Sequence, residues 1–107
     1  MMEQYRINEK NGMEFGLYTL GDHIPNALTG SRISAQQRLQ EIIEASQLAE
    51  QAGIDVFAVG ESHQQYFTTQ AHSVVLGAIA NATKSIKLSS SATVLSVADP
   101  VRVYEDF

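Results

Sequence analysis

Ile54-Asp55-Val56-Phe57-Ala58-Val59-Gly60-Glu61-Ser62-His63 turns from an almost wholly apolar run into a polar insert. A run this short, bounded on both sides, predicts a strand covered on both faces, as parallel strands are. Upstream of it, Ser34 followed by Gln37 is a capping-box signal. Leu39, Ile42, Ile43, Ala45, Ala49 and Ala52 then recur at helical spacing until Gly53 closes the segment. Earlier still, Glu14 to Leu20 reads as a first strand that stops at the Gly21-Asp22 turn. Between that strand and the helix, Pro25, Asn26, Gly30 and Ser31 punctuate a long loop. The repeating unit is therefore strand, helix, strand.

Downstream, a second helix is predicted from Val74, Val75, Ala78, Ile79 and Ala82, with Thr69 as its cap. Ile86 to Val94 reads as a third strand. Ser89, Ser90 and Ser91 sit in its middle, where small residues let backbone or ligand approach closely. Asp99-Pro100 supplies a cap residue and a proline at the first helical position, and Val101, Tyr104 and Glu105 begin a third helix. This alternation predicts an α/β fold, either the amino-terminal β/α units of a (β/α)8 TIM barrel or a doubly wound sheet. Because the third helix is only a few residues long, the chain is expected to be truncated after the third strand. Residues 1–12 are expected to be a flexible leader and residues 13–107 a partial barrel domain.

Composition narrows the function. The 107 residues are 44% hydrophobic and 18% charged, which suits one globular domain. So short a chain buries a small share of its surface, and association is the natural remedy. With a net charge of -5 and seven Lys and Arg residues in no basic run, nucleic acid is not an expected partner. The absence of Cys excludes a disulfide scaffold and thiolate zinc sites and leaves the cytoplasm as the expected compartment. No apolar run approaches the roughly 20 residues that span a bilayer, so no membrane association is expected. Three His without paired spacing give no metal signature.

In a parallel α/β fold the loops leaving the carboxyl ends of the strands form the ligand-binding side. Those loops are Thr19 to His23, Gly60 to His63 and Ser91 to Ser96. Glu61 and His63 form a candidate proton-transfer pair, weighed against the plainer reading of a solvated loop that starts a helix. Asp22 and His23 are adjacent and such residues rarely point together, so an exposed turn is the favoured reading there and His23 is kept as a lesser candidate. His72 reads as a surface or packing histidine. Glu41, Glu44 and Glu50 fit the outward face of the first helix and are assigned to solubility. No Gly-x-Gly-x-x-Gly follows a strand, which argues against a dinucleotide-linked oxidoreductase.

At these same segments the sequence resembles the bacterial luciferase-like, flavin-dependent oxidoreductases. The resemblance runs from Met13 to Phe107. It is carried by Met13-Glu14-Phe15-Gly16-Leu17, by Leu48-Ala49-Glu50-Gln51-Ala52-Gly53-Ile54-Asp55, by Val59-Gly60-Glu61-Ser62-His63, and by Ala92-Thr93-Val94-Leu95-Ser96 leading into Asp99-Pro100-Val101-Arg102. It implies a (β/α)8 barrel that binds reduced FMN or a deazaflavin and uses dioxygen on a small organic substrate. Glu61 and His63 would be the catalytic candidates. Where the family usually shows Glu-His-His, this chain has Glu61-Ser62-His63. Ser91, Ala92 and Thr93 would back the flavin ring, through a non-prolyl cis peptide that maps to Ser91-Ala92. The family's phosphate contacts come from later loops, so an incomplete flavin site and an inactive fragment are expected. Two unpaired outer strands would favour a homo-oligomer. The alternative function is a non-catalytic α/β self-association module.

Overall fold

The computed structural model describes residues 12–107. All but the last residue of the expected leader, residues 1–12, lies outside them. Three parallel strands, β1 (Gly16–Thr19), β2 (Val56–Val59) and β3 (Lys87–Ser90), lie side by side in the order β1-β2-β3. Helix α1 (Ala35–Gln51) connects the first pair and α2 (His72–Ala82) the second. A 3-10 turn (Leu95–Val97) and a short helix α3 (Pro100–Asp106) follow. No helix among the described residues is long and apolar enough to cross a membrane.

Local chemistry sets most of the boundaries. Ser34 Oγ accepts from the Gln37 N–H at 3.1 Å and opens α1. At its other end Gly53 takes a φ of +82°, with Ile54 N–H donating to Ala49 O and Gly53 N–H to Glu50 O. That is the paired bonding of a Schellman close, for which glycine is the least costly residue. Asp99 caps α3 by accepting from the Val101 and Arg102 N–H groups, with Pro100 at the first helical position.

In register, Leu17 opposes Phe57 and Phe57 opposes Leu88, while Tyr18, Ala58 and Ser89 share the neighbouring row. Phe57 and Val59 pack against Ile42 and Ala49 of α1, against Val75, Leu76 and Ile79 of α2, and against Ile86. The alternate row faces the other way, and there Tyr18 and Ser89 are exposed. One face of the sheet is thus a helix-covered core and the other is open. Lys87 and Glu14 span the amino end of the sheet with a 2.8 Å ion pair.

Several expectations are corrected. The third strand ends at Ser90 rather than Val94, since the Ser91 N–H makes the last bond to β2, at Val59 O, and the Ser91-Ala92 peptide that follows is cis. The buried stripe of α2 is His72, Val75, Leu76 and Ile79, and Val74 and Ala78 face outward. Thr69 does not cap α2, since its hydroxyl donates to Leu20 O at 2.7 Å and the helix starts after Ala71. Glu50 does more than face solvent. Its carboxylate accepts from the N–H groups of Lys84, Ser85 and Ile86, tying the end of α1 to the turn that feeds β3.

Those backbone donors, Ser85 first, hold the Glu50 carboxyl at about 2, well below the ordinary value. An unfolded glutamate titrates at about 4.3, so this contribution to stability is complete above that pH and is lost as pH falls towards the folded value. Glu50→Gln is therefore expected to lower the melting temperature at neutral pH, with the gap to wild type closing on acidification. Thermal unfolding followed by circular dichroism at a series of pH values checks this, and a gap independent of pH would contradict it.

Candidate functional site

β2 ends at Val59, and Gly60 directly after it is buried. Its N–H donates to Thr19 O at 2.9 Å, and a Cβ here would stand 2.7 Å from both the Ser91 carbonyl oxygen and Leu20 Cδ2. The missing side chain lets the carboxyl ends of all three strands converge. Ser91 N–H donates to Val59 O, and Glu61 N–H to Ala92 O.

The Glu61 side chain lies over this junction and is only 10% exposed. One oxygen, Oε1, accepts from His63 Nε2 at 2.6 Å. The other, Oε2, accepts from the Val94 N–H at 2.7 Å and lies 3.8 Å from Nδ1 of His72. The hydrogen bond from His63 and then that from Val94 hold the Glu61 carboxyl below the usual carboxylate range, against the opposing effect of burial. The nearby His72 and His63 add smaller attractions. His63 itself is largely exposed, so an anion anchored in the protein is joined to an imidazole that reaches solvent. Such a pair can hold a polar ligand or move a proton between ligand and solvent.

The expected site residues fall into two groups. Glu61 and His63 are joined directly, and Ala92 and Thr93 are linked to them through Glu61 N–H and His72. Asp22 and His23 are apart from this network. Asp22 accepts from Arg38, while His23 is buried, not an exposed turn, with Nε2 paired to Ile33 O at 2.5 Å. The loop after β2 is stitched to the end of β1, with Thr68 N–H donating to Gly21 O and Asp22 bridging Phe67. Two participants were not assigned to the site from the sequence. Of the two readings of His72, surface or packing, the structure bears out packing, since it is buried, and its Nε2 pairs with Thr93 Oγ1 at 2.8 Å. Its signal was present, since His72 precedes Val75, Leu76 and Ile79 by three, four and seven residues and so shares their helix face. The Val94 N–H contact has no such signal, because any residue but proline offers that donor.

Beside the network, a groove of about 430 Å³ runs along the outer edge of β3, lined by Leu88, Ser90, Ala92, Thr93 and Leu95 and closed by Val103 and Phe107 of the α3 end.

The sequence profile of the luciferase-like monooxygenases matches residues 13–107. The chain belongs to this family. Its fold is shared with the crystal structure of apo-MsnO8, at a TM-score of 0.77 and 24% identity over 88% of this chain and 27% of that one. A second similar structure is the oxygenating constituent of 3,6-diketocamphane monooxygenase from the CAM plasmid of Pseudomonas putida, a type II Baeyer-Villiger monooxygenase in complex with FMN. There the TM-score is 0.74, with 25% identity over 89% of this chain and 25% of that one. This luciferase-like chain therefore spans about a quarter of the length of either structure. No curated protein sequence matches it.

As the His63 hydrogen bond is the largest influence on Glu61, His63→Ala is expected to raise the Glu61 carboxyl towards the ordinary value of about 4.3. Carbon-detected NMR titration of the side-chain carboxyls reads this directly. An unchanged Glu61 curve would show that His63 does not hold it.

Proposed function

We propose that this chain forms the amino-terminal part of a flavin-dependent monooxygenase that uses reduced FMN and dioxygen on a small organic substrate. The observation that carries the proposal is the network at the carboxyl ends of the parallel strands, where Glu61 binds both His63 and the segment after β3. Family membership and the FMN complex of a similar structure support it.

The residues present fit one part of the cofactor. Ser91, Ala92 and Thr93 carry small side chains, and Ser91 and Ala92 are exposed, so a flat aromatic ring can approach the backbone there. No Lys or Arg lines the adjoining groove, so it offers a phosphate no cationic side chain. Residues 91–93 would accordingly hold the ring of FMN, or of a deazaflavin, in a site that this chain only begins. When bound, reduced flavin supplies the electrons that activate dioxygen. Glu61 keeps its negative charge and orients His63, and His63 exchanges protons between substrate and solvent. The 107-residue chain by itself is assigned no turnover, and the whole enzyme is placed in the cytoplasm.

Titration of the purified chain with FMN, followed by flavin fluorescence, tests the proposal. Weak binding is expected, with Kd on the order of 1 mM, and no substrate-dependent oxygen uptake. Absence of any binding would sink the flavin assignment, and efficient turnover would sink the assignment of an incomplete site.

A second proposal, self-association, is favoured by the two strand edges, those of β1 and β3, that are unpaired among the described residues, and by exposed Phe15, Leu17 and Tyr18 on or beside β1. The chain is expected to elute as a homo-oligomer in size-exclusion chromatography with light scattering, with the population rising with concentration. A strict monomer at high concentration would refute it.

A further inference from the structure

His72 lies between the Glu61 carboxylate and the segment after β3. It is the first residue of α2, is 7% exposed, and has the Phe107 ring 5.9 Å away on a further side. Its two ring nitrogens address different partners, Nδ1 the Glu61 Oε2 at 3.8 Å and Nε2 the Thr93 hydroxyl at 2.8 Å. A neutral imidazole carries one proton, and the side facing a carboxylate is the favourable place for it. With Nδ1 protonated, Nε2 is left as an acceptor and the Thr93 hydroxyl must donate to it. The Glu61 charge thereby fixes the tautomer of His72, and the tautomer fixes the direction in which the Thr93 hydroxyl points.

The same carboxylate oxygen accepts from the Val94 N–H, and Glu61 N–H holds Ala92 O. Three consecutive residues are therefore set by Glu61, two of them directly and Thr93 through the imidazole. We infer that His72 is a positioning residue, held as the Nδ1–H tautomer, that orients Thr93 on the surface that receives the flavin ring. This role rests on the flavin site proposed above. The tautomer and its coupling to Glu61 and Thr93 do not.

The test uses the full 107-residue chain without ligand, with long-range proton-nitrogen correlation NMR on the ring nitrogens of His72, at a pH raised until the ring is neutral. The expected pattern is protonated Nδ1 and bare Nε2. Glu61→Gln and Thr93→Val, both close in size to the residues they replace, are expected to mix in the other tautomer, a change that a merely space-filling histidine would not show. A predominantly Nε2–H ring in wild type, or a ring unaffected by both substitutions, would overturn the inference. FMN titration then reads the consequence, since Thr93→Val and His72→Gln are each expected to weaken binding several-fold. If both variants bind FMN as wild type does, the positioning role is overturned. Should wild type bind no FMN, the functional assignment fails, while the tautomer pattern still decides the coupling.

Discussion

No side chain can be accommodated at position 60, and the geometry of the whole upper rim follows from that. A methyl group there would sit 2.7 Å from a backbone oxygen of Ser91, closer than carbon and oxygen approach without displacement. With glycine in place, the ends of β1, β2 and β3 close to hydrogen-bonding distance, and Thr19, Val59 and Ala92 supply the acceptors for Gly60, Ser91 and Glu61. The central strand is thus pinned on both sides just before it delivers Glu61 to the surface. A carboxylate placed there meets the loop after β3 without having to reach for it.

The acidic balance of the chain takes on a structural meaning in this setting. Asp55 accepts from Phe15 N–H, Glu50 from three consecutive backbone donors, Glu61 from Val94, and Asp99 from two donors at the start of α3. Each carboxylate replaces water at backbone N–H groups that lead into a strand or begin a helical turn. Four of the twelve acidic residues are therefore placed where the chain changes direction. Backbone N–H donors hold the Glu50 carboxyl well below its ordinary value, while His63 first and the Val94 N–H second lower that of Glu61.

The two faces of the sheet differ in what they lack. The helix-covered face is closed by Ile42, Val59 and Ile79, all with almost no exposure. Among the described residues the opposite face and both strand edges are uncovered, and large apolar side chains lie along them. In the similar structures this chain corresponds to about a quarter of the polypeptide. A parallel sheet with one uncovered face and free edges is the expected shape of β/α units viewed apart from the remaining layers of a barrel.

The sequence by itself determined the order of elements, the α1 limits and the candidate pair Glu61 and His63. Those features rest on short-range physics: Ser34 capping its own helix, Gly53 adopting a positive φ, an apolar run flanked by polar residues, and a loop position fixed by strand direction. It also carried the family through motifs spaced along the chain. Only the tertiary structure decided that Thr69 serves Leu20 instead of α2, that Glu50 serves residues 84–86, and that His72 joins Glu61 to Thr93. Those contacts join residues 11 to 49 positions apart in the chain. Their partners are mostly backbone groups that every residue carries, so no pattern of side chains announces them until the chain has folded.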